Sequence, residues 1–145
     1  MRGIEQSAGV AVLVLATASA AVAAPTGRLA LPKSCPSASA VSAAVGQKDK
    51  TPVVTRSTYV LTCKYGSDPL APKVAFQADT ATTFAAGEKA AAAALPVTRI
   101  QHLGKAAWAP KSGGSLYVFT GSYTIKILAQ LTSLAKLETL ARKLL

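Results

Sequence analysis

The chain of 145 residues has no asparagine, one histidine, one tryptophan and two cysteines. Without asparagine there is no N-x-S/T acceptor, which excludes that form of glycosylation. A zinc site takes three or four protein ligands. His102 has no second histidine, no flanking carboxylate and no cysteine to spare. It reads as a strand or surface residue, and no metal and no cofactor is expected. The same scarcity argues against a serine triad, which needs a histidine oriented by an acid. The nucleophile-elbow pattern G-x-S-x-G, the P-loop and G-x-G-x-x-G are all missing. The acids downstream of the N-terminal segment, Asp49, Asp68, Asp79, Glu88 and Glu138, are scattered and suggest no glycosidase-type pair. The expectation is a protein that is not an enzyme.

Acidic charge is also scarce. Six Asp and Glu stand against sixteen Lys and Arg, a formal net charge of +10. Such a surface attracts anions. The cations are spread singly, with no basic run and no basic-aromatic array, so no nucleic-acid partner is expected. For an exported protein the available polyanions are wall polymers, phospholipid headgroups and peptidoglycan carboxylates. The competing reading is charge that serves solubility alone.

The long hydrophobic run is N-terminal. Arg2 gives a weakly positive start, "AGVAVLVLATASAAVAA" follows, and Ala21-Val22-Ala23 matches an A-x-A cleavage pattern. Residues 1–23 are expected to be a signal peptide, cut after Ala23. The alternative is an uncleaved anchor holding the chain at the membrane. The run is short of the usual span and ends in small residues, not in a basic stop. No membrane span is expected after cleavage. Residues 24–34 read as a flexible lead-in, and residues 35–145 as a single α+β domain.

Export implies an oxidising compartment, where two cysteines pair. Leu31-Pro32-Lys33-Ser34 precedes Cys35, and a proline and a lysine do not fit a lipid-attachment site. A Cys35–Cys63 disulfide is therefore expected. It would clamp the start of a helix to the apolar face of a strand.

The element pattern is α-β-β-α-β-β-β-α. "CPSASAVSAAVG" is a short helix with Ala38, Val41 and Val45 as its stripe and Gly46 as its C-cap. "QKDKTPVV" reads as a loop. "RSTYVLTCKY" is a strand with Tyr59, Leu61, Cys63 and Tyr65 on one face and Thr58, Thr62 and Lys64 on the other. "KVAFQAD" is its hairpin partner. "TATTFAAGEKAAAAAL" is a helix that Pro96 ends. "VTRIQHLGKAAWA" is a strand interrupted at Gly104, and "SLYVFTG" and "SYTIKILAQL" are two more. "TSLAKLETLARKLL" is an amphipathic helix with Leu134, Leu137, Ala141 and Leu144 inward. The expected fold is α+β, a mostly antiparallel curved sheet of about five strands with helices packed on one face.

The segments "LPKSCPSASAVSAAVG", "YVLTCKY", "VTRIQHLGKAAWA" and "LAKLETLARKLL" together resemble an actinobacterial family of secreted and lipoprotein domains of unknown function. The alanine-rich, asparagine-free composition fits a high-GC bacterium. The likeness covers nearly all of the chain after residue 30. Two departures stand out: His102-Leu103 and Lys105 replace a glycine and an acid, and the lipid-attachment motif is missing. The resemblance implies an extracellular α+β domain with a structural disulfide and no established activity.

Arg99, His102, Lys105 and Trp108 share one short segment around Gly104 and are the candidate binding residues. Trp108 competes as a core or edge anchor. The expected function is a secreted, disulfide-stapled, non-catalytic binding domain of the cell envelope or extracellular space. Its partner would be an anionic wall polymer or an extracellular protein. The alternative is an exported enzyme or enzyme inhibitor whose site is assembled from distant residues.

Overall fold

The structure is a computed structural model that describes residues 30–48 and 50–145. The expected signal peptide and most of the lead-in lie outside these residues. The chain forms α1 (Ala38–Val45), β1 (Val53–Arg56), β2 (Val60–Lys64), β3 (Lys73–Ala78), α2 (Ala81–Ala94), β4 (Val97–Arg99), β5 (Ala106–Pro110), β6 (Ser115–Phe119), β7 (Tyr123–Leu128) and α3 (Leu134–Leu144). The strands make one open sheet in the order β1-β2-β3-β7-β6-β5-β4, and every neighbouring pair is antiparallel.

The α+β class and the antiparallel sheet are as expected, but there are seven strands, not about five. One extra strand is β1, which takes Val53 and Val54 from the expected loop and Arg56 from the start of the expected strand. All four of its residues are exposed, so no apolar-polar alternation marks it. It is a strand because β2 offers an edge, pairing Val54 with Cys63 and Thr55 with Thr62. The turn between them takes Ser57–Tyr59 out of the strand expected from Arg56: Ser57 N–H donates to the Val60 carbonyl at 2.8 Å. Tyr59 is consequently exposed, whereas Leu61, Cys63 and Tyr65 are buried. The other extra strand arises at Gly104, where the chain reverses rather than bends. Val97–Arg99 then pairs back onto Trp108–Pro110.

Helices cover both faces, which corrects the expectation of one. On the first face α1 and α3 bury Val41, Val45, Leu137, Leu140 and Ala141 against Leu61, Val74, Phe76, Leu116, Val118, Ile125 and Ile127. On the other, Phe84 of α2 packs with Trp108 and Phe119. The cause is alternation within β5 and β6. Ala107, Ala109, Leu116 and Val118 point to the first core, so Trp108, Tyr117 and Phe119 supply an aromatic patch on the reverse side. Phe84 and Phe119 stack with centroids 5.6 Å apart, and aromatic pairs of this kind add to plain burial.

The helix ends follow local chemistry. Ser37 caps α1, its hydroxyl accepting the Ala40 N–H, and Gly46 closes it in the left-handed conformation at φ 72°. Thr80 caps α2 by accepting the Thr83 N–H at 3.1 Å. Cys35 and Cys63 form the disulfide, with Cα atoms 5.7 Å apart. Upstream of it, Leu31 packs against the main core, and Arg56 donates to the Pro32 and Lys33 carbonyls at 2.5 and 2.9 Å. Among the described residues no helix is long and apolar enough to cross a membrane.

Candidate functional site

In an antiparallel sheet, residues paired across strands share a face. One row crosses all seven strands on the α2 side: Thr55, Thr62, Ala75, Lys126, Tyr117, Trp108 and Arg99. The Trp108–Arg99 end lies under or beside α2. Among the described residues no helix lies over the end toward β1.

The candidate segment sits at the covered end. Arg99 closes β4, and its Nε donates to Glu88 Oε1 of α2 at 2.5 Å. The guanidinium pKa is raised from its ordinary value, first by this hydrogen bond and then by the charge of Glu88. Arg99 is thus spent on holding α2 to the sheet edge, although its side chain is largely solvent-exposed. His102 is exposed and left-handed at φ 59°, and its carbonyl accepts from Arg142 Nη1 at 3.1 Å. Gly104 follows at φ 63°, and Lys105 N–H donates to the Phe119 carbonyl at 2.8 Å.

Arg99, His102 and Lys105 line one cleft of about 440 Å³ between α2 and the β4–β5 turn, floored by Phe84, Ile100 and Phe119. Trp108 is not among its lining residues. Only 6% of it is exposed, and it stacks on Tyr117 at 4.1 Å with an interplanar angle of 10°. It is a core anchor, and its indole N–H has no hydrogen-bond partner among the described residues. The structure therefore brings three of the four candidates together and puts the fourth in the core. Glu88 is the carboxylate of the cleft, already engaged by Arg99. Among the described residues no cluster of His, Cys, Asp or Glu could hold a metal ion.

The uncovered end carries a different chemistry. Lys64 and Lys73 sit directly opposite each other, an arrangement that repulsion disfavours. Lys126 lies on the next strand, diagonal to Lys73, at about 7–8 Å between backbones. Lys126 Nζ donates to Gln77 Oε1 at 2.5 Å. No strand position on this face holds an Asp or Glu. Asp79, just beyond β3, is turned to Thr124, whose hydroxyl donates to its Oδ2 at 2.6 Å. The result is a polar sheet face bearing three partly exposed ammonium groups with no carboxylate pair among the described residues. Each lysine was visible in the sequence as the polar position of an alternating strand. What was not visible is that β3 lies between β2 and β7, which gathers them.

No family model, no curated protein and no solved structure matches this chain.

Proposed function

We propose that this chain is an exported, non-catalytic binding domain that contacts an anionic polymer of the cell envelope through the uncovered face of β2, β3 and β7. The observation that carries this reading is the gathering of Lys64, Lys73 and Lys126 on one face that has no Asp or Glu within its strands, none of the three being ion-paired among the described residues. A like-charged cross-strand pair such as Lys64 and Lys73 works against the sheet. A polyanion laid across the strands would reverse that penalty, since its charges meet all three ammonium groups. The Cys35–Cys63 bond is consistent with an oxidising compartment, and so with export.

The test is retention on immobilised heparin as a generic polyanion, then sedimentation with isolated cell walls, each against salt. The native chain should release as salt rises, because screening shortens the reach of these charges. Replacing Lys64, Lys73 and Lys126 together by Gln should weaken binding by roughly a hundredfold at low salt, taking about 1 kcal/mol per lysine near an anionic surface. Retention unchanged by the triple substitution, or indifferent to salt, would sink the reading.

A further inference from the structure

Leu131 is 99% exposed and sits at φ 64°, in a turn that Thr132 N–H closes onto the Ala129 carbonyl at 3.2 Å. The second central position of such a turn ordinarily takes Gly or Asn, because a side chain is strained there. An apolar residue that is both strained and fully in water is doing nothing for the fold that Gly or Asn would not do better. Backbone strain of this kind concentrates at contact sites.

Its surroundings give it a context. Three shallow clefts, of about 280, 430 and 660 Å³, meet at Leu131. They join the loops at one end of the sheet: the α1–β1 loop, the β2–β3 loop, the β5–β6 turn and the β7–α3 turn. Leu70, 52% exposed, lies on the same end. Lys48, Lys50, Lys73 and Lys111 stand in the same clefts. Asp68, the acid described there, already accepts the Leu70 N–H at 2.7 Å.

We infer that this end docks on an anionic phospholipid surface, with Leu131 and Leu70 inserted and the lysines at the headgroups. A central apolar tip among four lysines, against Asp68 as the one acid described there, matches a bilayer interface, apolar just below a layer of negative charge. Lysine stems lie along apolar material while their ammonium groups reach the headgroups. This surface is separate from the uncovered sheet face apart from Lys73 at their border, and the inference does not depend on the polymer reading.

The test is sedimentation of the exported chain with vesicles of phosphatidylcholine alone and of phosphatidylcholine mixed with phosphatidylglycerol. The N-terminus is the same in every variant, so differences between variants report the tip. The native chain should bind the anionic vesicles and leave the neutral ones in solution. Leu131→Asn keeps a residue suited to the left-handed turn while removing the apolar side chain. It should fold normally by circular dichroism and bind roughly tenfold more weakly. Lys48→Gln with Lys111→Gln should weaken binding by about fivefold per lysine. Equal binding of native and Leu131→Asn chains to anionic vesicles would overturn the inference, even if heparin retention persists. So would equal binding to neutral vesicles. Lipid-independent self-association that Leu131→Asn abolishes would also overturn it, naming a second copy as the occupant.

Discussion

At Gly104 an added methyl group would lie 2.6 Å from the Phe119 carbonyl oxygen and 2.7 Å from Val118 Cγ1. The first neighbour is backbone and the second a stiff β-branched side chain, so neither yields easily. The residue is also left-handed, where any side chain is disfavoured. Gly104→Ala should therefore destabilise the domain by about 2 kcal/mol or more, read from urea unfolding. Leu131 offers the opposite sign. It too is left-handed, but nothing packs on it, so Leu131→Gly should stabilise by about 1 kcal/mol. Its exposed side chain is what the proposed lipid contact uses, so stability and binding should move in opposite directions. The sequence marked Gly104 as a break in a strand, and a glycine is the legible kind of signal. It did not mark Leu131, because nothing about a leucine announces a left-handed turn.

Among the elements, α2 depends most on a few contacts. It has fourteen residues, many of them alanine, and buries only Phe84 fully. Alanine favours the helix itself but provides little area to hold it on the sheet. Phe84 against Trp108 and Phe119, together with Arg99 on Glu88, are its named attachments. Phe84→Ala should cost about 3–5 kcal/mol if the helix stays docked. A smaller loss, with faster amide exchange confined to α2, would show that the helix leaves the sheet without global unfolding. The amphipathic α3 was legible because Leu137 and Ala141 recur at helical spacing. Leu140 completes the buried stripe that the sequence reading left narrower. The strand β1 was not legible, since its residues carry no periodicity and its partner decides its conformation.

For the whole molecule, the disulfide ties the segment before α1 to the buried side of β2 across a sequence separation of 28. Tyr65 supports the same junction by donating its hydroxyl to the Pro36 carbonyl at 2.6 Å. Replacing both cysteines by serine should lower stability by about 2–4 kcal/mol. That is a large part of the roughly 5–15 kcal/mol typical of a domain. The expected result is a folded but markedly less stable protein, with a lower midpoint in urea whether or not reductant is present. The native chain should fall toward it only when reductant is added.

By itself the sequence determined the α+β class, the three helices, the cysteine pair and the excess of positive charge. Each of these is written in local order: helical spacing, strand alternation, capping residues and composition. The tertiary structure decided which strands are neighbours, and with that everything two-dimensional about the sheet. It moved Trp108 from the candidate binding residues into a core, because alternation in β5 turns it toward α2. It put α2 on the face opposite α1 and α3, and it gathered Lys64, Lys73 and Lys126 from three separate strands. A one-dimensional pattern says which way a side chain points from its own strand. Only the pairing of strands says what else points there with it.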